Sequence, residues 1–174
     1  MKEHISTKKL VIIYLVAAAL VAVDQLTKYI ISHHYAHGQK NPIIDGFFYL
    51  THCSNTGGAW SMFSGNAVVL GIISLLASLI IAGILLFAKN TGVAFSLGGI
   101  LAGAVGNMID RFAHGYVVDF LDFIIFGYDF PVFNVADICV VCSGIGLILT
   151  ILLAGKDTQL FYKPKCSQRG KGKA

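Results

Sequence analysis

The stretch AVVLGIISLLASLIIAGILLFA, residues 67–88, carries no charged side chain. About 20 helical residues at a rise of about 1.5 Å each cross the roughly 30 Å of hydrocarbon in a bilayer. This segment therefore predicts a membrane span. Three further apolar runs flank it, at about Leu10–Ile31, Thr91–Ile109 and Val135–Ala154. Only Lys89-Asn90 and a neighbour or two separate the second run from the third, which predicts a tight antiparallel pair. The 174 residues are 56% hydrophobic and 13% charged, against about 25% charge in soluble domains. The expectation is an all-α membrane protein of four transmembrane helices. Residues 1–155 form a single membrane domain and 156–174 a basic cytoplasmic tail.

The charge distribution orients the bundle. With the N-terminus inside, Lys2, Lys8, Lys9, Lys89, Lys156, Lys163, Lys165, Arg169, Lys171 and Lys173 are cytoplasmic, while only Lys40 and Arg111 lie outside. That asymmetry predicts both ends inside. The net charge of +4 comes largely from short terminal segments that leave no room for a reader of bases, so nucleic acid is not an expected partner. The first run continues past Ala17-Ala18-Ala19, further than the apolar core of a cleavable signal, which runs about 7–15 residues. Cys139 and Cys142 lie one turn apart inside the fourth run and read as packing residues; Cys53 outside and Cys166 inside cannot pair within one chain.

Two segments remain outside the membrane. In about 32–66, the β-prone Ile43–Thr51 is followed by Asn55-Thr56-Gly57-Gly58, which predicts a hairpin turn, and then by Ala59–Phe63. In about 110–134, the apolar Phe123–Pro131 predicts an amphipathic piece dipping into lipid, or a flap.

Acids gather at the outer boundary. Asp24 lies about 21 Å into the first span and Asp110 about 28 Å into the third, both near the outer end. Asp119 follows in a short loop and Asp137 opens the fourth span. Ionisable groups near lipid are costly, about 2.5–3.5 kcal/mol each at a helix centre on insertion scales. Asn55, Asn107, Arg111 and Asn134 fall at the same level. Asp24 and Lys28, four apart, read first as an ion pair. Asp110 has Arg111 at hand as a partner. Asn134 reads as an N-cap with Asp137 at N3, in competition with a chemical role. Asp119 has no such local explanation, and its preceding Val117-Val118 predicts an extended entry. Asp122, three residues from Asp119, and Asp129 are rivals to Asp137 as the partner of Asp119; Asp137 is preferred because it is anchored on a helix. His33, His34, His37 and His52 are a zinc candidate without an H-E-x-x-H motif, and no G-x-S-x-G motif signals serine chemistry.

Five blocks together carry a resemblance. They are Asp24-Gln25-Leu26-Thr27-Lys28, Asn55-Thr56-Gly57-Gly58-Ala59-Trp60, Gly103-Ala104-Val105-Gly106-Asn107-Met108-Ile109-Asp110-Arg111, Val117-Val118-Asp119-Phe120 and Phe130-Pro131-Val132-Phe133-Asn134-Val135-Ala136-Asp137. In this order, over about residues 10–155, the chain resembles the lipoprotein signal peptidases, or signal peptidases II. Trp60 departs from the family's commoner phenylalanine. The resemblance implies a bacterial inner-membrane aspartic endopeptidase without a metal or other cofactor, its site at the outer leaflet. Its substrate would be a prolipoprotein whose cysteine carries diacylglycerol, cut on the N-terminal side of that cysteine, and the cyclic peptide globomycin would inhibit it. It implies Asp119 and Asp137 as the catalytic pair. Asn55, Asn107, Arg111 and Asn134 would line the site, with Asp24 and Asp110 in support. It also implies a small outer β-rich cradle over 41–66 and a helical flap near 120–130. Two other classes stay open: a proton or cation path through the bundle, and a membrane scaffold without chemistry.

Overall fold

The computed structural model describes residues 4–57, 65–154 and 160–161. Trp60, the end of the turn expected at 55–58, and most of the basic tail lie outside the described residues. Four helices are long and apolar enough to cross a membrane: α1 (Thr7–His34), α2 (Ala67–Leu85), α3 (Thr91–His114) and α4 (Val135–Leu153). They match the four apolar runs, with α1 longer at both ends and α3 running five residues past Ile109. The tight link between α2 and α3 is closed by Asn90, whose side chain caps α3 by accepting the Val93 N–H at 3.2 Å.

α3 is the central helix. Half of its most apolar window is buried, against less than a fifth in each of the other three. Its sequence explains this placement, because glycines let neighbours approach its backbone. A Cβ on Gly98 would sit 2.6 Å from Ile13 of α1, one on Gly103 would overlap the Ala136 carbonyl of α4, and one on Gly106 would sit 2.6 Å from the Asp24 carboxylate. α3 therefore touches both flanking helices at backbone distance, and one of those contacts carries a charge.

The outer segments build a four-stranded antiparallel sheet in the order β1 (Lys40–Ile44), β2 (Phe48–Asn55), β3 (Val117–Ile125), β4 (Tyr128–Asp129). Two expectations are corrected here. The stretch Ile43–Thr51 is not one strand: the first hairpin turns at Asp45-Gly46-Phe47 and β2 runs to Asn55, while the far side of the turn expected at 55–58 lies outside the described residues. Residues 120–130 are no helical flap: β3 runs to Ile125 and folds back through Phe126-Gly127, both at positive φ, the two-residue turn whose twist suits a hairpin. Val117-Val118 does enter as extended chain. Beyond β4 the chain returns along β3, with Phe120 and Leu121 N–H groups donating to the Phe133 carbonyl at 3.1 and 2.9 Å. This return brings residue 134 alongside residue 119.

Gly103→Val is expected to lower thermal stability in detergent by about 1–3 kcal/mol or more, because the added side chain has backbone to displace. Gly83→Ala, with nothing within 4 Å, is expected to be neutral within about 1 kcal/mol. Equal melting temperatures for the two variants would contradict the packing assigned to α3.

Candidate active site

Asp119 is the third residue of β3 and is buried. Register places Cys53 of β2 opposite it, so Asn55, two residues on, is its diagonal neighbour on the same face. The Asn55 amide donates to Asp119 Oδ2 at 2.9 Å. Asp122, a rival to Asp137 as the partner of Asp119, is three strand residues away and so points to the opposite face. There it binds Lys40 at 2.8 Å.

Asp137 comes from a different element, the first turn of α4. Asn134 is the N-cap: its side-chain oxygen accepts the Asp137 N–H at 3.0 Å, and Asp137 Oδ2 accepts the Asn134 N–H at 3.1 Å. The capping box expected from the sequence therefore exists. It does not compete with a chemical role, because the Asn134 amide is still free to donate, and does so to Asp119 Oδ1 at 2.6 Å and to Asn107 Oδ1 at 3.1 Å. One fully buried asparagine thus ties the two aspartates together.

The direction of each amide is set by a neighbour that can only donate. Asn55 gives its oxygen to the Gly57 N–H at 2.9 Å, so its NH₂ must face Asp119. Asn134 gives its oxygen to the Asp137 N–H. Asn107 gives its oxygen to the Lys28 ammonium at 2.9 Å, and its NH₂ reaches Asp137 Oδ1 at 2.8 Å. An ammonium has no acceptor, so the reverse orientation would set donor against donor. All four oxygens of the two carboxylates therefore accept a hydrogen bond from a donor of fixed direction.

Asp24, Lys28 and Asp110 lie behind this layer. Lys28 binds Asp24 at 2.8 Å, as the spacing of four predicts, and also Asp110 at 3.0 Å, with all three side chains buried. The partner expected for Asp110 is corrected: Arg111, adjacent on the helix, points about 100° away and reaches the Asn107 and Gly57 carbonyls at 3.3 and 3.2 Å. Its Nε is buried without a hydrogen-bond partner among the described residues. Gln25, which sequence reading left without a role, donates to Asp24, Asp110 and the Gly106 carbonyl at 2.9–3.2 Å. Its place beside Asp24 in the first block was the available signal. Nδ1 of His33, His34 and His52 each meets a backbone carbonyl at 2.9 Å, and among the described residues His33, His34, His37 and His52 are not gathered into a group that could hold a metal ion.

Asp119 and Asp137 open onto one cavity of about 800 Å³. Its polar wall includes Asn55, Asn107 and Arg111. Its other walls are Phe130–Phe133 and the outward-facing Ile138, Val140 and Val141 of α4. The site therefore joins a polar cluster to a helix surface made for lipid. Burial, and after it the neighbouring Asp137 carboxylate, push Asp119 up to about 7, against the opposing pull of the Asn55 and Asn134 amides. Burial also raises the Cys53 thiol, with Asp119 and Asp122 adding to the effect, which keeps it a thiol rather than a nucleophilic thiolate.

Comparison with known proteins agrees over most of the chain. A profile of the signal peptidase (SPase) II family matches residues 16–153. The lipoprotein signal peptidase of Bacillus pumilus is 38% identical over 151 residues, covering 84% of this chain and 96% of that protein. The lipoprotein signal peptidase of Staphylococcus aureus strain JH9 is 42% identical over 150 residues, covering 83% and 88%. A solved bacterial membrane enzyme superposes with a TM-score of 0.78 at 32% identity, over 92% of this chain and 99% of that one. With four membrane-spanning helices, an outer sheet and this match, the chain belongs to the signal peptidase II family.

Proposed function

We propose that this protein is a membrane aspartic endopeptidase that removes signal peptides from diacylglyceryl-modified bacterial prolipoproteins, cutting on the N-terminal side of the lipidated cysteine. One observation carries the reading: a buried carboxylate, Asp119, and a half-buried one, Asp137, from separate elements and bridged by Asn134, face a single cavity whose far wall is apolar helix. The protein sits in the inner membrane with both ends cytoplasmic and its site at the outer leaflet. The acyl chains stay in lipid against α4 while the scissile amide meets water.

Two carboxylates close together resist double ionisation, so the pair holds one proton. Asp119, at about 7, is the member that keeps it near neutral pH. Asp137 is the anion, at N3 of α4, where the helix dipole and the Asn134 N–H favour negative charge. Asp137 takes a proton from a bound water, which attacks the amide carbonyl. Asp119 donates to the carbonyl oxygen and stabilises the tetrahedral intermediate, and a proton then passes to the leaving amine. Asn55, Asn107 and Asn134 hold the pair and, with Arg111, line the site and hold the substrate backbone, while Asp24 and Asp110 support the site. No metal takes part, and globomycin binds in the same cavity.

Three outcomes are expected. Cleavage of a diacylglyceryl prolipoprotein by purified enzyme in detergent with EDTA should proceed, and Asp119→Asn and Asp137→Asn should each lower it by several orders of magnitude; cleavage by both at the wild-type rate would make the carboxylates structural. The rate should trace a bell against pH, and a flat profile between pH 4 and 9 would count against the pair. Stability has a definite sign as well. Asp119 holds its proton more tightly folded than unfolded, so that contribution is complete below about 4 and is lost as pH rises to about 7. Melting temperature in detergent should fall across that window, and Asp119→Asn should flatten the slope.

A further inference from the structure

Lys28 has no part in the chemistry above, yet its position is unusual. Its ammonium has three protons and meets three acceptors: Asp24 Oδ2 at 2.8 Å, Asp110 Oδ2 at 3.0 Å and Asn107 Oδ1 at 2.9 Å. Each acceptor in turn holds one of the paired aspartates. Asp24 Oδ1 accepts the N–H of Ala136 at 2.8 Å, the residue immediately before Asp137. Asp110 Oδ2 accepts the N–H of Val118 at 3.1 Å, the residue immediately before Asp119. Asn107 gives its NH₂ to Asp137 Oδ1.

We propose that Lys28 is a positioning residue of the peptidase: it sets the backbone beneath both aspartates and fixes the polarity of the Asn107 amide, so that Asp137 is the member of the pair that stays ionised. The inference rests on the proposed pairing of Asp119 with Asp137. A simple structural ion pair with Asp24 would need neither Asp110 nor Asn107. With an apolar residue at 28, the Asn107 oxygen keeps only the Asn134 amide at 3.1 Å, a donor already shared with Asp119. Asn107 then rotates at little cost, and its oxygen faces the Asp137 carboxylate. The charged groups around this point are Asp24 and Lys28 from α1, Asp110 and Arg111 from α3, Asp119 from β3 and Asp137 from α4. Arg111 is bonded to carbonyls, so Lys28 is the cation that answers the acids directly.

The test uses the full chain in detergent with a diacylglyceryl prolipopeptide, reading kcat and KM against pH and melting temperature for each variant. The charge-balanced pair Lys28→Met with Asp24→Asn is compared with Lys28→Met alone and with Asp119→Asn and Asp137→Asn. In folded Lys28→Met protein, kcat should fall about 100-fold with KM little changed, as for a small misplacement of reacting groups. The acidic limb of the kcat profile should rise by about one pH unit, because the anion has lost a nearby cation. A limb that stays at its wild-type pH in folded protein overturns the proposal, whatever happens to melting temperature. Lys28→Arg covers the case in which the neutral variants fail to fold. It keeps the charge but replaces three diverging protons with a planar fork. Its acidic limb should stay in place while kcat falls about tenfold, a loss typical of outer-shell partners; wild-type kcat overturns the proposal. Inactive Asp119→Asn and Asp137→Asn beside an unshifted Lys28 limb would sink this inference alone, whereas full activity in the two asparagine variants would sink the pairing on which it rests.

Discussion

The buried ammonium of Lys28 is the constraint from which the rest of the structure follows. A charge placed inside a membrane bundle costs several kcal/mol unless its partners are close and complete. Here three protons meet three acceptors, drawn from α1 and α3. Satisfying them fixes the register of α1 against α3, and Asp24 extends the tie to the first turn of α4 through the Ala136 N–H. The glycines of α3 are then a necessity, since a methyl at 106 would collide with the Asp24 carboxylate itself. Packing and polar satisfaction are here one requirement seen from two sides.

The same cluster shows how an antiparallel sheet and a helix cap can cooperate. β3 delivers Asp119 and the N-terminus of α4 delivers Asp137, and neither element alone can bring them together. The return of Phe133 along β3 does so, by placing the cap residue Asn134 where its oxygen serves the helix and its nitrogen serves the strand. An aspartate or serine at 134 would cap α4 equally well but could not donate to Asp119 through an amide.

The spans were legible because a bilayer imposes length and hydropathy almost regardless of detail. The two aspartates stood out as acids near lipid, and Asn134 could be read as a cap from its spacing to Asp137. The outer sheet was read less well. Asp45-Gly46 is a strong turn signal, yet the β-prone side chains on either side of it carried Ile43–Thr51 through as one run. Residues 120–130 carry apolar side chains on both sides of a two-residue turn, with only Gly127 as punctuation, so a continuous apolar piece was the natural reading. Asp122 competed with Asp137 as the partner of Asp119 only while the backbone was undecided, since residues three apart share a face on a helix and not on a strand. Asp110 went to Lys28 instead of Arg111 because adjacent helical residues diverge, a point that spacing alone could have made. The third contact of Lys28 was not legible, for it depends on how α1 packs against α3.

The central claim is that Asp119 and Asp137 act together on one reacting carbon. The most direct measurement is a crystal structure of the enzyme with a diacylglyceryl peptide whose scissile amide is replaced by a secondary alcohol, a stable stand-in for the tetrahedral intermediate. The account predicts the hydroxyl within about 2.6–3.2 Å of an oxygen from each aspartate, with the lipid chains along α4. A hydroxyl bound away from the pair, or held by one carboxylate while the other turns to a structural partner, would contradict it.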